Sequence, residues 1–276
     1  MTALVNRIID CSLVDGPGNR TAVFLQGCNY CCTYCHNPET IAHCSSCGLC
    51  VDNCPAKALS VLEGTVVWTP ERCILCDRCI HICPHHASPR VTSMTVDAVY
   101  DRIHWNRPFI QGITISGGEC TLWEDFLTEL IPRVKALGLT CLLDSNGSCD
   151  FADHRKLLEL ADGVLLDVKS TVPEEYESIT GAKMPDILDQ AAMLAASGKL
   201  AEVRTVCSPD FQSAQTVRDT ADVLSCWPDI RYKLIAYRPF GVREPFRSQI
   251  TPPSAAFMQN LKSIADAKGL HNSLVT

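Results

Sequence analysis

No apolar run in this 276-residue chain approaches the 18 or so residues of a membrane span, and the start, MTALVNRIIDCSLVDGPG, lacks a basic segment followed by a continuous apolar stretch. Those two absences predict a chain that stays in the cytosol and off the membrane. Positive charge is also short: 24 Lys and Arg face 31 Asp and Glu, a formal charge of -7, the wrong sign for a surface that grips phosphate backbones. Nucleic acid is therefore not an expected partner. Glycine and proline are few, at 15 and 16, and charged residues make 20% against 46% hydrophobic, which excludes disordered, collagen-like and coiled-coil chains. What remains is a globular protein with room for one large core and one small extra module.

Cysteine, by contrast, is abundant, with 18 in the chain. A reducing cytosol does not sustain a disulfide framework of that size, so the cysteines read as ligands. Twelve of the 18 lie from Cys28 to Cys83, and all of these but Cys31, eleven in number, fall in three regular spacings. Cys44, Cys47, Cys50 and Cys54-Pro55 are followed about 29 residues later by Cys73, Cys76, Cys79 and Cys83-Pro84, a doubled CxxCxxCxxxCP run. This is the bacterial ferredoxin pattern, in which three cysteines bind one cluster and the fourth binds the other. It assigns Cys44, Cys47, Cys50 and Cys83 to one 4Fe-4S cluster, and Cys73, Cys76, Cys79 and Cys54 to a second. Structural zinc, the alternative, usually takes two CxxC pairs, and neither half has that form. His81, His85 and His86 read as solvated loop residues, since the cysteines already fill every cluster position.

Outside residues 44–90 the chain alternates β-prone runs with amphipathic stretches, the habit of parallel βα units. Six strands are expected, at Thr21–Gln26, Ile113–Ser116, Leu139–Asp144, Val164–Val168, Glu202–Val206 and Tyr232–Tyr237. Helices are expected over Thr95–His104, Leu122–Leu137, Ala152–Leu160, Ile187–Ala196, Ala214–Leu224 and Ser254–Ala267. Periodicity alone leaves a doubly wound sheet and a partial barrel both open. Residues 44–90 break the alternation, with a single hairpin signal at Glu63-Gly64. The expected organisation is one α/β domain from 1–43 and 91–276, interrupted by a ferredoxin-like insertion at 44–90.

The remaining cysteine group, Cys28, Cys32 and Cys35, forms CxxxCxxC at the end of the first expected strand. Three thiolates leave one iron of a 4Fe-4S cluster open, which is where a small molecule can bind and react. With Tyr34 before the last cysteine, Cys35-His36-Asn37-Pro38 after it, Val14-Asp15-Gly16-Pro17-Gly18-Asn19-Arg20 before it and Ser116-Gly117-Gly118-Glu119 beyond, the chain resembles the radical S-adenosylmethionine (SAM) superfamily. More narrowly it resembles the glycyl-radical enzyme activating enzymes, and among them the YjjW-type activases with a paired ferredoxin insertion. Asp144-Ser145-Asn146-Gly147, Asp167-Val168-Lys169 and Val203-Arg204 continue the likeness along the chain.

The resemblance implies a partial (β/α)6 barrel and an oxidoreductase. Cys28, Cys32 and Cys35 would hold the cluster that binds SAM. Tyr34 would meet the adenine, and Gly117, Gly118 and Glu119 the methionine amino group, with Lys169, Arg204 and Arg238 facing SAM as cations. Asp144, Ser145, Leu165 and Asp167 match a monovalent cation site, and Asp167 with Lys169 the region that meets the partner's glycine loop. Reductive cleavage of SAM would give a 5′-deoxyadenosyl radical that takes hydrogen from a glycine Cα of a partner glycyl-radical enzyme. The implied cofactors are SAM, three 4Fe-4S clusters and a monovalent cation. The implied partners are that enzyme and a ferredoxin or flavodoxin-type electron donor, met by a monomer in an anaerobic or facultatively anaerobic cell. Two other readings stand beside this one: a radical SAM enzyme acting on a small molecule, and a ferredoxin-type electron carrier. Cys120 reads as a buried small residue, and Cys11, Cys31, Cys141, Cys149, Cys207 and Cys226, which follow no ligand spacing, as core or incidental thiols.

Overall fold

The computed structural model describes all 276 residues. Eleven strands occur: β1 (Thr2–Ser12), β2 (Arg20–Leu25), β3 (Leu59–Leu62), β4 (Thr65–Trp68), β5 (Thr92–Thr95), β6 (Gly112–Gly117), β7 (Thr140–Ser145), β8 (Gly163–Asp167), β9 (Leu200–Cys207), β10 (Arg231–Ala236) and β11 (Ser273–Val275). Nine helices occur: α1 (Arg78–His81), α2 (Val96–Asn106), α3 (Glu124–Ala136), α4 (Arg155–Leu160), α5 (Pro173–Thr180), α6 (Ile187–Ala196), α7 (Ser213–Leu224), α8 (Phe246–Gln249) and α9 (Ala255–Ala267). All six expected strands and all six expected helices are present, with ends shifted by a few residues.

Nine strands form one mixed sheet in the order β11-β10-β9-β8-β7-β6-β2-β1-β5. From β2 to β11 every pairing is parallel, while β1 runs antiparallel to both β2 and β5. The parallel strands follow chain order with no reversal, so the doubly wound alternative is not the one adopted. Crossovers that all step the same way, each right-handed, put their helices on one face of the sheet. Side-chain alternation agrees. Ile113 and Ile115 of β6, Leu143 of β7, Leu166 of β8 and Val203 of β9 join one apolar cluster with Leu130 of α3, Leu194 of α6 and Val217 of α7.

The intervening residues point to the opposite face, as a period of two demands. They are Thr114, Ser116, Asp144, Asp167, Glu202 and Arg204, with Leu165 among them, a mostly polar set behind an apolar one. At the N-terminal end of this face, residues 13–19 fold across the sheet. Thr114 Oγ1 donates to the Asp15 carbonyl at 2.5 Å, and Lys233 Nζ reaches the Val14 carbonyl at 3.4 Å. Buried Arg20 ties the same end together, donating to the carbonyls of Pro17, Ile113 and Thr140 and to the Thr114 and Thr140 hydroxyls. The Val14–Arg20 segment thus lies at the end of the sheet opposite the cysteine loop, which follows β2.

Six elements were not expected from the sequence, among them the four-residue helices α1 and α8. β1 and β5 form an antiparallel edge, where Thr2–Ser12 alternates too irregularly to read as a half-buried strand. β11 has three residues, and α5 is short and acidic in its first turn. Within residues 44–90, β3 and β4 form the expected hairpin, with Glu63 and Gly64 at φ of 49° and 76°, the left-handed pair of a two-residue turn.

Candidate functional site

The loop after β2 is held from three sides. Gly27 and Cys28 donate their N–H groups to the Thr40 and Ile41 carbonyls, at 2.7 and 2.9 Å. Cys31 and Thr33 donate to the Thr180 and Ile179 carbonyls at the end of α5, while Tyr176 Oη donates to Tyr30 Oη at 2.9 Å. From β6, Gly118 and Glu119 N–H groups reach the Leu25 and Gly27 carbonyls, at 2.9 and 2.8 Å. The glycines of Ser116-Gly117-Gly118-Glu119 therefore serve the chain itself: a Cβ on Gly118 would overlap the Gly27 carbonyl oxygen, and one on Gly117 the Leu25 backbone. Gly118→Ala is expected to cost about 1–3 kcal/mol by overpacking and to loosen the Cys28–Cys35 loop. Urea denaturation with parallel iron analysis tests this; unchanged stability would disprove the close approach.

Cys28, Cys32 and Cys35 gather in one small cluster with Tyr30 and Tyr176. Burial pushes the Cys28 thiol up to about 11 and, with the neighbouring Cys32, the Cys35 thiol up to about 12. Cys32 is raised too, by burial, although the Lys169 charge opposes it. Three such thiols keep their protons until a positive metal core replaces them. Two N–H donors already address the Cys28 sulfur: the Tyr30 backbone at 3.4 Å and Asn146 Nδ2 at 3.6 Å. Asn146, beside the expected Asp144 and Ser145, was not singled out as a site residue from sequence.

Beneath the loop, three parallel strands bring the charged residues together. Arg204 donates from Nε to Glu202 at 2.6 Å and from Nη1 to Asp144 at 2.8 Å, while its Nη2 is buried with no partner. Asp167 pairs in register with Arg204 and takes Lys169 Nζ at 2.6 Å. Lys169 Nζ also stands 5.8 Å from the Tyr34 ring centre, and burial, which would lower its affinity for protons, is outweighed by Asp167. Burial raises the Asp144 carboxyl, and Arg204 pulls it back. Tyr34 is buried against Phe211, and its hydroxyl finds no partner in the protein.

Not every expected residue joins this group. Adjacent strand positions point to opposite faces, so Ser145 turns from Asp144 toward Glu119, donating to it at 3.0 Å and accepting from Gly147 N–H at 3.1 Å. Glu119 is fully enclosed and accepts from Ser145, Thr121 and the Asn146 N–H, so its carboxylate binds the loop after β7. Leu165 is buried between Asp144 of β7 and Glu202 of β9. Arg238, just past β10, is exposed, and its carbonyl meets His36 Nε2 at 3.0 Å. Glu202, which fixes Arg204, was not among the expected site residues; its only sequence signal is an acidic residue two positions before an arginine on an otherwise apolar strand. Cys120, Cys141 and Cys207 are buried, Cys149 is half-buried, and Cys11, Cys31 and Cys226 are exposed.

Residues 44–90 enclose two cavities. One, of about 20 Å³, is lined by Cys54, Cys73, Cys76 and Cys79; the other, of about 10 Å³, by Cys44, Cys47, Cys50 and Cys83, with Cys79 at the edge. No three His, Cys, Asp or Glu side chains converge tightly enough for a single metal ion.

Comparison with known proteins follows the same lines. The family model described as a 4Fe-4S single cluster domain matches residues 14–181, and the chain belongs to that family. Along nearly its whole length it is similar to proteins with one kind of name. One, from Haemophilus influenzae and assigned as a glycyl-radical enzyme activating enzyme, is 29% identical over 99% of each chain. The pyruvate formate-lyase 2-activating enzyme of Escherichia coli is 25% identical over 94% of this chain and 88% of its own. The fold is also that of a domain of a pyruvate formate-lyase-activating enzyme from Bacteroides vulgatus, with a TM-score of 0.51 and 18% identity over 60% of this chain and 98% of that one.

Proposed function

We propose that this chain is a radical SAM activase for a partner glycyl-radical enzyme, of the YjjW type with a ferredoxin-like insertion at 44–90. When bound, the cluster and SAM supply reductive cleavage of the sulfonium, giving the 5′-deoxyadenosyl radical that takes a hydrogen atom from a glycine Cα. The observation that carries the reading is the trio Cys28, Cys32 and Cys35 set over a polar sheet face with buried, unsatisfied donors at Arg204 Nη2 and unsatisfied Tyr34 Oη. A buried N–H without a partner is costly, and an anionic ligand group removes that cost. The carboxylate end of SAM suits Arg204 and Lys169, and Tyr34, whose hydroxyl is without a protein partner, would meet its adenine.

The chain's own work is orientation and exclusion of water. Lys169 holds Asp167, Arg204 holds Asp144, and the two carboxylates on neighbouring strands suit a monovalent cation between them. Residues 1–43 and 91–276 form the catalytic domain in this reading, a partial (β/α)6 barrel: helices on one face alone leave the other free to curl inward around the site. The two cysteine-lined cavities suit two further 4Fe-4S clusters, taking electrons from a ferredoxin or flavodoxin-type donor, and the whole acts as a monomer in an anaerobic cytoplasm.

The test is electron paramagnetic resonance of the anaerobically reconstituted protein with reductant, SAM and a candidate glycyl-radical enzyme. A glycyl doublet with 5′-deoxyadenosine is the expected result. Deoxyadenosine with no doublet against every glycyl-radical enzyme of the source cell would overturn the protein substrate in favour of a small molecule.

A further inference from the structure

The two cysteine-lined cavities of residues 44–90 are unlike in their walls. Around Cys54, Cys73, Cys76 and Cys79 the wall carries N–H donors. The Ala58 backbone N–H donates to Cys54 Sγ at 3.2 Å. Trp68 lines the cavity with an indole N–H that is buried and has no hydrogen-bond partner, and Arg90 lines it together with Cys73. Around Cys44, Cys47, Cys50 and Cys83 the wall is Ser45, Gly48, Leu49, Val66, Ala87 and two prolines, with one hydroxyl, no charged side chain and no side-chain N–H. Proline offers no backbone N–H either.

We propose that these two sites are unequal as electron acceptors, the one built by Cys54, Cys73, Cys76 and Cys79 having the higher reduction potential. The inference rests on the reading of both cavities as 4Fe-4S sites. One electron from an external low-potential reductant takes a cluster core from +2 to +1; no bond breaks, and the added negative charge spreads onto the thiolate sulfurs. Donors aimed at those sulfurs stabilise the reduced state more than the oxidised one, which raises the potential. The Arg90 charge acts in the same direction. Asp77, 2.6 Å from Arg90, opposes it, but the Asp77 side chain is 51% exposed and that of Arg90 only 15%, so water screens the carboxylate more. Exposure of the cysteines does not order the two sites: Cys44 and Cys47 are exposed and Cys50 is buried in one set, while Cys76 is exposed and the other three are half-buried in the other.

The donor-poor site is joined to the Cys28–Cys35 loop. Ala87 of its wall bridges to Ala42, next to the Ile41 carbonyl that holds Cys28 N–H. An arriving electron therefore rests on the donor-rich site and passes inward through the donor-poor one, and Cys79, shared by both walls, lies between them.

The experiment uses the full-length chain with Cys28, Cys32 and Cys35 all replaced by alanine, so that only residues 44–90 report. Iron is measured first: about eight per chain is required by two clusters, and much less defeats the ferredoxin reading itself. Dithionite titration followed by electron paramagnetic resonance should then give two separate one-electron steps. Arg90→Gln and Trp68→Phe should each move the upper step to lower potential and leave the lower step in place. Arg90→Lys, which keeps the charge, should move it less than Arg90→Gln. Coincident steps in the parent protein, or a shift of the lower step alone or of both equally, would overturn the assignment. Should Arg90→Gln lose iron, Trp68→Phe decides.

Discussion

Replacing Cys35 by alanine is expected to abolish SAM cleavage while leaving most of the iron in place. The expectation follows from how the three cysteine sets are separated. Cys35 belongs to the loop after β2, buried beside Cys32 and Cys28, and its thiol is pushed up to about 12 by burial and by Cys32. The two cavities of residues 44–90 draw on none of these three residues. Loss of one thiolate from a three-thiolate set leaves two irons without protein ligands, and such a cluster is not retained. The variant should therefore bind about eight irons where the parent binds about twelve, and its 5′-deoxyadenosine yield should fall to background. Iron analysis and product chromatography read the two quantities independently. Retained cleavage would remove Cys35 from the site; loss of all the iron would mean that residues 44–90 do not hold clusters on their own.

Spacing carried most of what the sequence told about this protein, because cysteines at CxxC and CxxxCxxC intervals are forced together by the chain alone. The six parallel strands were legible for a related reason, each being a short buried run that the period-two and period-3.6 patterns separate from its helix. Contacts made between distant segments were not legible. Nothing local in Pro173–Thr180 marks it as the support of the cysteine loop, since its contribution is two carbonyls and the Tyr176 hydroxyl. Ser145 shows a contact that sequence adjacency does not reveal. Its place beside Asp144 suggested a shared site, yet neighbours along a strand face apart, and its hydroxyl went to Glu119. Glu119, expected at a ligand amino group, is enclosed by the loop it organises. Gly117 and Gly118, expected beside the same group, also admit the backbone of Leu25 and Gly27.

Arg204→Met should destabilise the fold by about 3–5 kcal/mol, the cost of breaking a buried ion pair from one side. Arg204 is the cation shared by Glu202 and Asp144, at 2.6 and 2.8 Å, and both carboxylates lie on the polar sheet face with little access to water. Arg231, at 3.6 Å from Glu202, compensates part of the loss there. Asp144 has no such second cation and keeps only the Ser116 hydroxyl. Its carboxyl is already raised by burial and held down by Arg204, so removing the arginine raises it further. A carboxyl with a folded value above its unfolded one loses stability as pH rises through the folded value and suffers no penalty below the unfolded one. The gap between Arg204→Met and the parent should thus be widest near neutral pH and shrink on acidification toward the ordinary carboxylate range. Urea denaturation at neutral and mildly acidic pH measures it, and a pH-independent gap would assign the loss to packing. Glu202→Gln separates positioning from charge: the amide oxygen still accepts from Arg204 Nε, so stability should change little. SAM affinity should fall in Arg204→Met far more than in Glu202→Gln, because only the first removes the free Nη2. Equal losses in calorimetric titration would make Glu202, rather than that free donor, the determinant of the site.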